Sequence, residues 1–406
     1  MPQLCRRLAT VLAVILLAGL GGCASILRLE APPVEVTAEL PVLGITNARF
    51  WPDGAPEPLR REAAMMLQRQ RARTSGALPP TLPRFVGRRR QRRLWRRRAD
   101  GLDRHRRPPG IDIVTGISAG ALIAPFAFLG PDYDPQLREV FTELAPRDVL
   151  LLRRIPLALL FGLSLADTSP LYRLIERQAD ERMLAAIARE YARGRLLLIG
   201  TTNLDLQRPV VWNIGAIAAS GHPQALTLFR RILLASASIP GAFPPVLIDV
   251  EHAGQAHQEM HVDGGAATQV FLYPPALDAR SLAGAAAASR RRTVWVIRNG
   301  RMDVEGANVN RGLVTIASRS IATLLHFSGV GDISRIYLTA RRDGLDFRLS
   351  FIGSEFRTER REPFDQAYMR ALFDYGAQKV LAGRAWVEEP PAVGTLAATA
   401  DRTPGR

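Results

Sequence analysis

The chain has 406 residues, 47% of them hydrophobic, so it can bury a large core as one α/β domain or two smaller ones. Its net charge of +16 does not indicate a nucleic-acid partner, because Lys379 is the only lysine among 54 basic residues and Trp95 is the only aromatic residue interleaved in the Arg-rich run over 88–107. With Cys5 inside a predicted export signal, Cys23 is left as the only mature cysteine, which excludes a disulfide framework within one chain.

The N-terminus has the pattern of a bacterial export signal. Residues 1–22 carry Arg6 and Arg7 near their start, continue with an apolar stretch over 8–20 and end in small residues. Leu20-Gly21-Gly22-Cys23 resembles the lipobox, in which the cysteine is lipidated as the first mature residue. We therefore predict an exported, lipid-anchored protein in the outer membrane, facing the periplasm, since Ala24-Ser25 lacks the Asp typical of inner-membrane retention. The alternative is an ordinary signal peptide with an incidental Cys23.

Three segments precede the first catalytic motif. Residues 23–58 are predicted to be a tether and N-terminal extension, because 30–43 is rich in Pro and Val and favours an extended chain. Residues 59–83 are predicted to be an N-terminal helix and loop. Apolar residues at helical spacing predict the helix over 58–73, and the loop follows it. Residues 84–110 are Arg-rich and anomalous, with 12 Arg against two Asp between Arg84 and Arg107.

The most informative motif is Gly116-Ile117-Ser118-Ala119-Gly120. It follows an apolar run over 111–115 and precedes an apolar helix predicted over 121–129. This strand–turn–helix context is that of the G-x-S-x-G nucleophile elbow, with Ser118 as the nucleophile and Gly116 and Gly120 allowing a tight turn. The helix N-terminus would stabilise developing negative charge. The pattern indicates acyl transfer.

The remaining elements alternate between helices and strands, which predicts an α/β fold with a sheet covered on both faces. The predicted helices are 137–165 (broken by Pro146 and Pro156), 171–193, 229–237, 313–327, 332–341 and 364–381. The predicted strands are 196–202 as a central parallel strand, 210–214 as its neighbour, 260–262, 293–298 and 347–351. Residues 386–406 are predicted to be a disordered tail.

Three blocks together resemble the patatin-like phospholipases over roughly 111–385. They are the elbow, Ala235-Ser236-Ala237-Ser238-Ile239-Pro240-Gly241-Ala242-Phe243-Pro244-Pro245, and Val262-Asp263-Gly264-Gly265. The resemblance implies a three-layer α/β/α sandwich with a mainly parallel central sheet, and hydrolysis of lipid acyl esters. Membrane phospholipid or another lipid ester would be the substrate, with no metal or other cofactor.

In this family a Ser–Asp dyad acts without histidine. Matching the motifs makes Ser118 the nucleophile and Asp263 its base. A carboxylate desolvated in an apolar pocket has the raised proton affinity that this role needs. Gly264 and Gly265 would let the backbone pass close under the elbow.

The chain departs from the family at the oxyanion loop. The family has a glycine-rich G-G-G-x-x-G loop before the elbow, whereas this chain has the Arg-rich run. Residues 87–105, written in GC-rich codons and read one nucleotide later, give a glycine-rich loop and an apolar helix start. We therefore suspect a local frame error that is restored before Ile111, and expect impaired activity. The alternative is a catalytically inactive envelope lipoprotein of patatin fold that acts as a binding or membrane-surface module.

The histidines offer two competing sites. His252, His257 and His261, with Glu259, could suggest a metal, but their spacing favours a solvated loop. His326 could complete a Ser-Asp-His triad, but its helical apolar surroundings favour a packed histidine. No role is predicted for Asp205 or His222.

Overall fold

The computed structural model describes residues 28–74, 112–143, 151–152, 166–273, 292–304, 306, 308–361 and 364–391. The strands are β1 Arg49–Phe50, β2 Ile113–Gly116, β3 Leu151–Leu152, β4 Ala166–Asp167, β5 Leu196–Asn203, β6 Arg208–Asn213, β7 Val246–His252, β8 Gln255–Asp263, β9 Thr293–Arg301 and β10 Asp346–Ile352. The helices are α1 Val34–Thr37, α2 Glu57–Thr74, α3 Ala119–Leu129, α4 Asp134–Thr142, α5 Ser169–Gln178, α6 Glu181–Ala192, α7 Ile214–Ala219, α8 Ala225–Ser236, α9 Leu313–Asp343 and α10 Gln366–Leu381. The predictions for the signal peptide, Cys23, the Arg-rich segment and most of the tail fall outside the described residues.

Strand β5 is the centre of the main sheet, whose order is β1-β6-β5-β8-β7, with β2 also paired to β5. Every residue of β5 is buried. Leu197 and Ile199 belong to the larger core cluster with α3, α5 and α8, and Leu196 and Leu198 belong to a second cluster with Met66 of α2. Because successive side chains of a strand point to opposite faces, helices cover both faces of the sheet.

The strand β5 is shared by two partners along one edge. Strand β2 pairs with it in parallel over 196–199, and β8 pairs antiparallel over 201–203, while β6 takes the opposite edge. Gly200 lies between the two pairings. The elbow at the end of β2 and Asp263 at the end of β8 are thereby brought to the same point of the sheet.

The α/β class is confirmed, but the prediction of a mainly parallel central sheet is wrong for the described strands. In this sheet only β2 and β5 pair in parallel; the pairs β1–β6, β5–β6, β5–β8 and β7–β8 are antiparallel. The physical reason is connection length. Four residues join β5 to β6, and Ala253-Gly254 alone joins β7 to β8 in a turn with positive φ at both residues. Parallel neighbours would need a crossover of a dozen or more residues.

Most predicted helices form, and three differ in extent. The helix predicted over 137–165 is wrong beyond α4, which ends at Thr142, because the described residues Leu151–Leu152 form strand β3 paired with β4. The segment predicted as one helix over 171–193 is two helices, α5 and α6, because Asp180 is extended and its carboxylate caps α6 at Met183 N–H, 2.8 Å away. Conversely, the two helices predicted over 313–341 are the single helix α9. Its second half packs Ile333 and Ala340 on β9 and β10, which offsets the about 1 kcal/mol that each interior glycine costs.

The segment predicted as a tether is packed on the domain from residue 28 onward. Val42 and Ala48 are each 1% exposed, and β1 extends the sheet beside β6. At the N-terminal end of this segment, Arg28 pairs with Asp205 at 2.9 Å. The extended-tether prediction is therefore wrong for 30–43, because scattered apolar residues find a core that local composition cannot reveal.

A smaller core lies between α9 and the parallel pair β9–β10. The carboxylate of Asp332 in α9 accepts the backbone N–H of Gln269 at 2.7 Å, and Asp343 accepts from the hydroxyl of Tyr273. These bonds hold the segment that follows Asp263 against α9. In the described part of the chain, no helix is long and apolar enough to cross a membrane.

Candidate active site

Ser118 occupies a strained turn between β2 and α3. Its φ is 56° and its ψ is −128°, a positive-φ conformation that costs a non-glycine residue of order 1–3 kcal/mol and that recurs at functional sites. Gly116 makes the tight approach possible, because a Cβ there would lie 2.5 Å from the carbonyl oxygen of Gly120. The side chain of Ser118 is half-buried. The predicted strand–turn–helix geometry is therefore present.

The second glycine of the elbow has a different environment. A Cβ built on Gly120 meets no described atom within 4 Å, and the positive φ of the turn is at Ser118 rather than at either glycine. The sequence motif suggested that both glycines serve the turn. In the structure only Gly116 is required by packing among the described residues.

Asp263 is the last residue of β8 and is only 4% exposed. Its carboxylate accepts the backbone N–H of Gly265 at 2.7 Å. Burial raises the pKa of Asp263 from 3.8 to about 6, and the nearby Ser118 side chain and the Gly265 N–H oppose the rise. The structure thus brings Ser118 and Asp263, the two residues predicted from the sequence, close together.

Close backbone packing at Gly200 makes this meeting possible. A Cβ on Gly200 would lie 2.8 Å from Ile117 Cγ1, so the elbow packs directly over this residue of β5. A Cβ on Gly264 would lie 2.6 Å from the Gly200 carbonyl oxygen. Gly264 is thus required for close approach, as the sequence predicted. The sequence predicted no role for Gly200. The signal that could have indicated close packing there is a glycine directly after the apolar run over 196–199.

The predicted solvated loop containing the other histidines is instead the β7–β8 hairpin. His252 and His257 are partly exposed, whereas His261 and Glu259 are completely buried. Arg49 forms two hydrogen bonds with Glu259, at 2.6 and 3.0 Å. Burial opposes the ionisation of Glu259, but His261 and Arg49 outweigh it and lower the pKa of Glu259 to about 2.

His261 is a satisfied core residue rather than a metal ligand. Its Nε2 lies 3.1 Å from Glu259, and Thr201 Oγ1 lies 3.0 Å from its Nδ1. An ionised Glu259 can only accept, so Nε2 of His261 carries a proton. Burial lowers the pKa of His261, which favours a neutral ring whose Nδ1 accepts from the Thr201 hydroxyl, and that hydroxyl oxygen also accepts the indole N–H of Trp212 at 2.8 Å. Among the described residues, no group of three or more His, Cys, Asp or Glu side chains could hold a metal ion.

His326 lies in α9, where its ring packs edge-to-face on Phe327 at a centroid distance of 5.2 Å. It is partly buried, and its backbone carbonyl accepts from Arg298 at 3.2 Å. Within the described part of the chain, no hydrogen bond joins its side chain to Asp263. The packed-helix interpretation of His326 agrees with these contacts.

One oxyanion donor can be identified within the described segment 112–143. Ala119 is the first residue of α3, so its backbone N–H has no acceptor within the helix. The residue after the nucleophile is also the donor that elbow hydrolases use. The partner donors expected from a preceding loop would fall in 84–110, outside the described residues.

A serine on a strained strand–turn–helix junction, beside a buried carboxyl group with a raised pKa, is typical of α/β serine hydrolases. Comparison with known families gives the same class. Residues 92–275 match the family model described as Patatin-like phospholipase, which supports assignment of this segment to the patatin-like family. The match begins inside the Arg-rich segment and spans all three blocks. It supports lipid acyl hydrolysis in general, with a lipid substrate; no curated protein matches the chain.

Proposed function

We propose that the chain is a lipid acyl hydrolase of phospholipase A or lysophospholipase type, in which Ser118 and Asp263 form a catalytic dyad. The observation that carries the proposal is that Ser118, which has a strained backbone with positive φ, lies beside Asp263. The carboxyl group of Asp263 is 4% exposed and its pKa is raised to about 6. A pKa near the working pH is what a general base requires.

The chemistry follows from this arrangement. The ionised carboxylate of Asp263 accepts the hydroxyl proton as Ser118 Oγ attacks the ester carbonyl carbon. The N–H of Ala119 would bind the resulting oxyanion. Collapse breaks the bond to the leaving alcohol, which takes the proton from Asp263 and leaves an acyl-enzyme. Water, activated by the same carboxylate, then releases the fatty acid and restores Ser118.

The dyad is tested with purified protein and a short-chain ester. Ser118→Ala and Asp263→Asn should each remove most turnover, because nucleophile and base act as one unit. Turnover of the unmodified chain should rise as the pH passes upward through about 6, since Asp263 accepts a proton only when ionised. Chelators should have no effect. Activity that survives in Asp263→Asn but is lost in His326→Ala would contradict the dyad and support the triad.

We further propose that the Arg-rich segment impairs this activity, because it stands where the family has its glycine-rich oxyanion loop. Losing one oxyanion donor typically costs about 2.7–4 kcal/mol, or about 10²–10³ in rate. The chain should therefore be at least about 100-fold slower than a version carrying the shifted-frame sequence over 87–105. Comparable turnover would show that the loop is dispensable. No turnover by either version would favour the inactive binding or membrane-surface module.

The location of the protein is also a proposal. The lipobox-like sequence at Cys23 supports export and lipid anchoring, with the outer membrane favoured. We propose that the membrane provides both the anchor and the lipid substrate, and that the Arg content does not serve nucleic acid. The three-layer α/β/α arrangement is supported by helices on both faces of β5.

A further inference from the structure

A third side chain contacts the candidate site through hydrogen bonds that none of the catalytic assignments uses. Ser236 is the last residue of α8 and is completely buried. Its hydroxyl oxygen accepts the backbone N–H of Ser118 at 3.0 Å and donates to the carbonyl oxygen of Gly200 at 2.7 Å. One hydroxyl thus joins the nucleophile's own backbone to the central strand.

The position of Gly200 explains why this bond is needed. The residue falls between the β2 pairing, which ends at Ile199, and the β8 pairing, which begins at Thr201. Strand pairing along this edge therefore breaks at Gly200, and the Ser236 hydroxyl supplies a donor to its carbonyl. A buried carbonyl or N–H without a partner costs about 1–3 kcal/mol, so the hydroxyl satisfies two such groups at once.

The same carbonyl is where the three sequence blocks meet. Ile117 of the elbow packs over Gly200, Gly264 of the Asp-Gly-Gly turn passes close to the carbonyl oxygen, and Ser236 of the middle block donates to it. Ser118 follows β2 and Asp263 ends β8, so contacts at the Gly200 carbonyl fix the position of the nucleophile relative to the base. The bond to Ser236 also occupies the Ser118 N–H, which leaves Ala119 as the oxyanion donor at the elbow.

We infer that Ser236 is a positioning residue, which sets the distance between Ser118 and Asp263 by holding the strained elbow against β5. This inference rests on the proposed function, because that distance matters only if the two residues act together. Ser236 touches no substrate. Loss of the Ser236 hydroxyl should change the pKa of a titratable side chain placed at position 118, an effect that a general loss of stability would not produce.

Ser238 provides a matched control. It is also completely buried, two residues beyond the end of α8, but its hydroxyl donates to the carbonyl oxygen of Leu234 in α8 at 2.9 Å. Ser236→Ala and Ser238→Ala each remove one buried hydroxyl of the same kind. Both should lower the free energy of unfolding, whereas only Ser236→Ala should alter the elbow.

The test uses the full chain with Ser118→Cys, so it does not depend on ester turnover. The rate at which iodoacetamide alkylates the introduced thiol is followed against pH, with the modified residue identified by peptide mass spectrometry. The Asp263 carboxylate raises the pKa of a nearby thiol by like-charge repulsion. Adding Ser236→Ala should loosen the elbow and lower that pKa by about half a unit or more. Adding Ser238→Ala should leave it unchanged.

Identical alkylation profiles for the two serine variants would overturn the inference. If Ser236→Ala does not fold, Ser236→Cys retains a weak donor and acceptor in nearly the same volume and should give a smaller shift in the same direction. A Ser236→Cys profile equal to the parent's would likewise contradict a positioning role. Failure of the chain to hydrolyse esters would count against the proposed function alone, because the thiol titration does not need hydrolysis.

Discussion

At the scale of single residues, the site depends on the carboxyl group of Asp263, whose burial favours the neutral form over the charged one. The pKa of Asp263 is raised by burial to about 6, against 3.8 for an ordinary aspartate. A raised folded-state pKa means that the folded protein binds the proton more tightly than the unfolded chain. Ionisation of Asp263 therefore destabilises the fold, and this cost appears as the pH rises from about 4 through 6.

This linkage predicts a pH-dependent gain from removing the charge. Asp263→Asn should gain stability relative to the parent by about 2.4 kcal/mol between pH 4 and pH 8. Urea unfolding of both proteins at the two pH values measures the difference. Asp249 is the control: burial raises its pKa, but hydrogen bonds from Gln258 and Arg231 outweigh burial and lower it below 3.8. Its linked stability change therefore falls below about pH 4, and the stability of Asp249→Asn relative to the parent should stay nearly constant between pH 4 and pH 8. A pH-independent difference for Asp263→Asn would contradict the assigned pKa.

The two elbow glycines should respond differently to substitution. A Cβ at Gly116 would be 2.5 Å from the backbone of Gly120, whereas a Cβ at Gly120 meets no described atom within 4 Å. We expect Gly116→Ala to displace α3 from β2, with a loss of about 2 kcal/mol or more in stability and of most turnover. Gly120→Ala should be tolerated within about 0.5 kcal/mol. Thermal unfolding and ester turnover measure both; equal losses would show that the turn itself requires both glycines.

At the scale of elements, one buried ion pair adds to the packing that holds the N-terminal extension on the domain. Arg49 lies in β1 and Glu259 in β8, on opposite sides of the central strand β5. Their side chains are 4% and 0% exposed, and the ion pair joins these two parts of the sheet. Glu259 also accepts from Asn203 at 3.0 Å and contacts His261, two residues before Asp263. The extension therefore supports the strand that carries the base.

Breaking this pair from one side should be costly. Arg49→Met leaves the Glu259 charge buried without its main partner and should lower the free energy of unfolding by about 3–5 kcal/mol. The double variant with Glu259→Gln should lose less than Arg49→Met alone, because no buried charge is left. The exposed pair Arg231–Asp249, 39% and 56% exposed, is the control, and Arg231→Ala should cost less than about 1 kcal/mol. Urea titrations give all the values, and an additive double variant would show that the two charges are not coupled.

At the scale of the whole molecule, the packed extension limits how far the domain can lie from its proposed anchor. The docked segment begins at Arg28, which pairs with Asp205 and donates to the Gln258 carbonyl at 3.0 Å. The five peptide steps from Cys23 to Arg28 span at most about 18 Å. If Cys23 is lipidated, the edge of the sheet near the β7–β8 hairpin lies close to the bilayer.

The anchor can be tested by fractionation. Cys23→Ala should release the protein into the soluble periplasmic fraction or leave it unprocessed, because a single thiol carries the attachment. Metabolic labelling with a fatty acid should mark the parent and not the variant. Ser25→Ala, which leaves the thiol in place, serves as the control. Lipid attachment would be contradicted if the parent is not labelled and if parent and Cys23→Ala both fractionate with the membrane.

How much of this protein follows from its sequence depends on the range of the interactions involved. Local rules were sufficient for the elbow, for strands β5 and β6 and for helices α2, α3 and α8, because turn chemistry and hydrophobic periodicity act within a few residues. They failed at α5 and α6, where a capping aspartate divides a continuous amphipathic pattern, and at α9, where packing of the second half carries the helix past two glycines.

The sequence by itself indicated the patatin-like family and the candidates for nucleophile and base, because three short motifs in one chain point to them together. Only the tertiary structure decided which strands are antiparallel, that residues 28–50 pack on the domain, and that Arg49, Glu259 and His261 form a buried network. It also brought Gly200 and Ser236 to the site. Each of these depends on contacts between residues far apart in the chain, and a single sequence contains no local pattern that encodes such a contact.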